Sequence, residues 1–141
     1  MENHFKLSDT KFEEQFANCR FDPEDFSHEA HLRLVWIHVK KYGIDKAELN
    51  IQTQLKKYVE HLGAIDKYNK TLTIASIKIV HHFMSRSPLD RFEDFIMKYP
   101  RLKYDFKELI GAHYEIDIYN SEIAKKMFIE PDVLPFDKIS Y

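Results

Sequence analysis

Residues 71–84 read Thr-Leu-Thr-Ile-Ala-Ser-Ile-Lys-Ile-Val-His-His-Phe-Met, and whether this run is a strand or a helix decides the fold class. Its β-branched side chains favour a strand. Its length opposes one, because fourteen residues without Gly or Pro exceed the usual strand. On a wheel turning about 100° per residue, Ile79 and Phe83 fall within about 20° of Leu72. The run is therefore expected as a helix, and with it the last candidate for a sheet disappears.

Working outward, the preceding 60 residues punctuate themselves as helices. Asp45-x-x-Glu48 is a start signal for a helix whose Ile51, Leu55, Tyr58, Val59 and Leu62 share one face, with Gly63 as its stop. Before it, a helix opening somewhere in 22–28, at Asp22-Pro23 or Ser27, should run to Gly43. Thr10-x-x-Glu13 offers a capping box, and Phe12, Phe16 and Cys19 at helical spacing suggest a first helix over 9–19. Beyond the central run, Ser87-Pro88 should start a helix over 88–98, residues 101–112 should be helical, and Ser121 should cap a helix to Phe128. Pro131 and Pro135 keep residues 130–141 extended. The expectation is an all-α, single-domain bundle of five to seven helices. The helices near 27–42 and 70–85 should be central, since both carry apolar residues on more than one side.

Composition narrows the function classes. A chain of 141 residues with 44% hydrophobic and 14% aromatic side chains is long enough to bury a core without disulfides or a structural metal. Lys plus Arg number 21 against 23 Asp plus Glu, a net charge of -2, so the basic stripe that a phosphate backbone selects is missing and nucleic acid is not an expected partner. No window approaches the run of about 20 apolar residues that spans a bilayer. The opening Met-Glu-Asn-His-Phe-Lys is not an apolar leader, and the lone Cys19 cannot pair internally. A cytoplasmic setting is expected, with Cys19 a small buried hydrophobe.

Chemistry concentrates in Phe26-Ser-His-Glu-Ala-His-Leu-Arg-Leu-Val-Trp-Ile-His38, which holds three of the eight histidines. His28, His31 and His38 lie within about 80° on the helical wheel. Only His28 and His31 can share one ion, because His38 is about 10 Å further along the axis than His31. A divalent metal as cofactor would need a ligand from another helix, with His82 or His81 the obvious donor and Asp25 or Glu29 as carboxylates. Alternatively, each histidine is structural: His28 and His31 bonded to the segment before their helix, His38 in the core, and one of His81 and His82 half-buried with the other in solvent. A haem or flavin ligated by His81, His82 or Met84 has no attachment motif to support it. No Ser-His-Asp order, Gly-rich phosphate loop or Cys-x-x-Cys is present.

Three segments together carry a resemblance: Phe26-Ser-His-Glu-Ala-His-Leu32, Lys67-Tyr-Asn-Lys-Thr-Leu-Thr73, and Ser121-Glu-Ile-Ala-Lys125 followed by Phe128-Ile-Glu-Pro-Asp132 and Pro135. In order and spacing they resemble an uncharacterised family of small bacterial all-helical proteins. The family carries no established activity, so the resemblance implies site positions and not a reaction. Those positions are His28, His31, Tyr68, Thr71 and Thr73. Where family members tend to have Tyr-His-x-Thr, this chain has Tyr68-Asn69-Lys70-Thr71, and a carboxamide neither titrates near neutrality nor ligates zinc-type metals well.

The functional expectation is a small-molecule ligand, bound with or without a metal in an inter-helical pocket lined by His28, His31, Tyr68, Asn69, Thr71 and Thr73. If the protein is an enzyme, His31 would be the base or metal ligand and His28 its partner. The alternative is a non-catalytic protein that docks on a partner, or on a second copy as a homodimer, through aromatics in 92–119 and its apolar tail.

Overall fold

A computed structural model describes residues 1–138, and among these every regular element is helical. The α-helices are α1 (Asp9–Ala17), α2 (His28–Tyr42), α3 (Ile44–His61), α4 (Lys70–Ser85), α5 (Phe92–Lys98), α6 (Arg101–Tyr104), α7 (Phe106–Gly111) and α8 (Glu122–Lys126), with short 3-10 turns at Asn3–Lys6, Pro23–Asp25 and Ile65–Lys67. No described helix is long and apolar enough to cross a membrane. The chain divides into two compact units, Met1–Tyr68 and Asn69–Tyr141.

In the first unit α2 packs against α3 and α1, and α1 against α3. Helix α2 is buried almost all round, from Ala30 through Val39 with only His31 part-exposed, as expected of a helix apolar on both sides. A single residue joins α2 to α3: Gly43 accepts the role at φ 84° and ψ 167°, a region essentially closed to other residues. An aromatic cluster fills the core, with Phe16 stacked on Tyr58 at 4.7 Å and Phe12 tilted against Phe21 at 4.6 Å. The Tyr58 hydroxyl donates to the Phe21 carbonyl at 2.8 Å, and burial pushes its pKa up to about 12.

In the second unit α4 is the strand-tempting run, helical throughout and buried at Thr71, Thr73, Ile74, Ala75, Ser76, Ile77, Ile79, Val80 and Phe83. It packs against α8. The extended tail returns on its own unit: the amides of Val133 and Leu134 donate to the His113 carbonyl, and Phe136 stacks at 4.7 Å from the His113 ring. Residues 139–141, the last of the expected extended tail, lie outside the described residues.

Several boundaries differ from the sequence reading for physical reasons. Helix α1 is capped by Ser8, whose oxygen accepts from Lys11 N–H, so Thr10 lies inside the first turn instead of capping it. Helix α5 starts at Phe92, not Pro88, with Arg91 at its N-cap, while the Ser87 hydroxyl accepts from Lys98 Nζ at 2.7 Å. The expected helix over 101–112 breaks at Asp105, φ -127° and ψ 31°, into α6 and α7. Cys19 is not a buried hydrophobe. It is half-exposed beyond the end of α1 at φ 57°, where its N–H bonds Phe16 O and Arg20 N–H bonds Gln15 O. That is a Schellman ending, the same motif Gly63 (φ 71°) makes after α3 through Glu60 O and Val59 O.

Because a side chain in the left-handed region costs energy that Gly avoids, Cys19→Gly should stabilise the protein by a few tenths to about 1 kcal/mol, and Gly63→Ala should destabilise it by about 1 kcal/mol. Urea denaturation of both variants checks the opposite signs; equal signs would mean that these two helix endings are not equivalent.

Candidate functional site

The first two turns of α2 carry most of the polar chemistry of the first unit. Ser27 caps the helix, its oxygen accepting from Ala30 N–H at 3.1 Å while its hydroxyl donates to Glu2 Oε1. From that start, helical spacing sorts the polar side chains into two sets. Glu29 and Arg33, four apart, form one; His28 and His31, three apart, form the other.

Glu29 and Arg33, each 5% exposed, meet the N-terminal 3-10 turn. His4 Nε2 lies 2.7 Å from Glu29 Oε1 and 3.8 Å from Glu2 Oε1. Arg33 donates to His4 O at 2.6 Å, to Leu7 O at 2.8 Å and to Asp9 Oδ1 at 2.8 Å, with Nη1 also 3.3 Å from His4 Nδ1. Arginine only donates, so Nδ1 is the acceptor nitrogen, and Nε2–H donates to Glu29. Burial lowers the His4 pKa against the opposing pull of Glu29, keeping the ring neutral. The guanidinium also lies 4.9 Å from the Phe12 ring centre. One ligand atom each from Glu2, His4 and Glu29 falls within 4.8 Å of the others, a group that could hold a metal ion.

The second set differs. His28 is exposed, whereas His31 turns inward, its ring edge-on to Phe26 at 5.6 Å. His31 Nε2 is shut off from solvent and has no hydrogen-bond partner among the described residues. Burial, reinforced by the charge on His28, lowers its pKa to about 4. His38, two turns on, is fully buried with both ring nitrogens unpartnered among the described residues, beside Tyr42 at 5.4 Å; burial lowers its pKa too.

The remaining expected positions lie around the start of α4. Tyr68 closes the 3-10 turn of the first unit. Asn69 caps α4, accepting from Leu72 N–H at 3.0 Å, and donates to Ile118 O at 2.7 Å. Thr71 donates to Met127 O at 2.8 Å and accepts from Ile129 N–H at 3.1 Å; Thr73 donates back to Asn69 O at 2.7 Å. Asn69 and Thr71 thus tie α4 to the segments on either side of α8, while Thr73 bonds back within α4. His81 and His82 are both half-buried rather than split between core and solvent, because the 100° between neighbours leaves each at an edge of the apolar face. His82 belongs to the second unit, where its charge bears on the buried His113.

The sequence reading missed His4, Arg33 and His113. His4 precedes any periodic segment and finds Glu29 across 25 residues, and His113, donating from Nδ1 to Leu134 O at 2.8 Å, is claimed by the tail. The one available signal was Arg33, a cation amid an otherwise apolar run that has to find acceptors. No protein-family model, curated protein or solved structure matches the chain.

His4, His31, His38 and His113 all have pKa values lowered by burial. The folded state therefore binds fewer protons than the unfolded chain below the ordinary value of 6.5, so stability is fully present above it and falls as pH drops toward 4. His31 alone accounts for about 3 kcal/mol across that window. Chemical denaturation from pH 7.5 to 4.5 should show this loss, and His31→Phe should flatten it; superimposable pH profiles would refute the buried neutral imidazole.

Proposed function

We propose that the protein binds a small ligand against the first two turns of α2, with His31 as the recognising group. The observation that carries this reading is the orphaned Nε2 of His31. Buried polar atoms almost always have partners, and a lone imidazole nitrogen beside the Phe26 ring is where a ligand's polar atom is recognised. His28, exposed and one turn earlier, stands on the solvent side of the same pair. With a pKa near 4, His31 is a weak base at neutral pH, which favours recognition over proton abstraction. The resemblance of Phe26–Leu32 to a small bacterial family supports the same two positions. In the metal-assisted form of this reading, His28 and His31 supply two nitrogens to a divalent ion.

Native mass spectrometry after incubation with a metabolite extract tests it. Wild-type protein should retain a small-molecule adduct that His31→Phe loses, at a melting temperature within a few degrees; equal retention by both would end the reading.

A second reading, association between copies of the chain, is favoured by two exposed apolar side chains close in the chain, Ile123 on α8 (66% exposed) and Met127 just beyond its end (65%). Sedimentation velocity of wild type and Met127→Lys separates it: a dimer that the lysine dissociates supports association, and a monomer throughout removes it.

A further inference from the structure

We infer that Glu2, His4 and Glu29 form a binding site for a divalent transition-metal ion such as Zn²⁺, separate from the His28/His31 pair. His4 is 1% exposed and Glu29 5% exposed, while the Glu2 side chain keeps about a third of its surface, so the group is buried on two sides and open on one. An imidazole and two carboxylates are a borderline nitrogen and oxygen donor set that suits zinc or a similar ion.

Charge favours occupancy. His4 Nε2 stands between the carboxylates of Glu2 and Glu29, at 3.8 Å and 2.7 Å, and a dication placed between two carboxylates is attracted by both.

Geometry is close to what an ion requires. Three atoms about 2.1 Å from one ion lie at most about 4.2 Å from one another. The Nε2 separations are 2.7 Å to Glu29 and 3.8 Å to Glu2, and all three atoms fall within 4.8 Å. Opening the His4–Glu29 hydrogen bond by under an ångström and drawing Glu2 inward completes the site. Ser27, donating to Glu2 Oε1, is the outer group that orients that carboxylate.

One feature opposes the ion and sets a readable signature. Nε2 must release its proton to ligate, so the neutral ring carries its hydrogen on Nδ1, facing Arg33 Nη1 at 3.3 Å. Arg33 keeps its shorter bonds to His4 O, Leu7 O and Asp9 while that contact lengthens. The tautomer switch costs no proton, so its signature is the displaced ring-nitrogen resonance.

Isothermal titration of untagged full-length protein with Zn²⁺, with inductively coupled plasma mass spectrometry for stoichiometry, tests the inference. The expected result is one ion per chain, a raised melting temperature, and a His4 Nε2 resonance displaced in long-range ¹H–¹⁵N spectra. Glu2→Gln, on the partly exposed ligand, should weaken binding at least tenfold with the fold intact, Glu29→Gln should weaken it further, and His31→Phe should leave it unchanged. Failure to bind Zn²⁺ saturably, or binding that survives both glutamine variants, overturns the site. Loss in His31→Phe instead would place the ion at the other histidine pair and likewise overturn it.

Discussion

The burial of Arg33 in the middle of α2 is the constraint on which the first unit depends. A guanidinium removed from water must have its N–H groups paired, or the helix that carries it cannot be buried. Helix α2 supplies none of the acceptors, since its own carbonyls are taken by the helix. They come from His4 O, Leu7 O and Asp9, with Phe12 beside the guanidinium. Satisfying one buried charge therefore orders the N-terminal segment, brings His4 to Glu29, and fixes the start of α1. A second ionic tie at the other end of α2, Lys41 to Glu13 at 2.8 Å, holds α1 along its length.

The second unit uses the same device with neutral groups. The first turn of α4, its most buried helix, reaches through Asn69 to Ile118 and through Thr71 to Met127 and Ile129. Short polar side chains at a helix start usually cap locally. Asn69 caps with its oxygen and still has its amide nitrogen for a distant carbonyl, a two-ended structural clamp.

The histidines divide by what their nitrogens meet. His4 and His113 make hydrogen bonds to Glu29 and to Leu134 O, which join segments far apart in the chain. Among the described residues, the buried His38 has both ring nitrogens unpartnered and the part-exposed His31 has only its shielded Nε2 so, one turn from the exposed His28.

Helix content and most boundaries were legible in the sequence because they rest on local physics: apolar period, the serine at position 27, the glycines at 43 and 63, and the length of the 71–84 run. The boundaries at Pro88 and Asp105 were misread because the start signal and the apolar period there do not set the backbone: α5 begins only at Phe92, and the chain leaves the helical region at Asp105. The site shows the same split. His28 and His31 are visible as a pair from spacing alone. That His31 Nε2 is shielded with no partner among the described residues, that Thr71 bonds Met127 and Ile129, and that His4 joins Glu29 and Arg33 depend on burial or on segments 25 or more residues apart, which only the tertiary structure brings together. The sequence by itself determined an all-helical chain with a histidine-bearing, doubly apolar α2; the tertiary structure decided which buried polar groups find partners, because hydrogen-bond partners of buried atoms are chosen by the fold and not by neighbours in the chain.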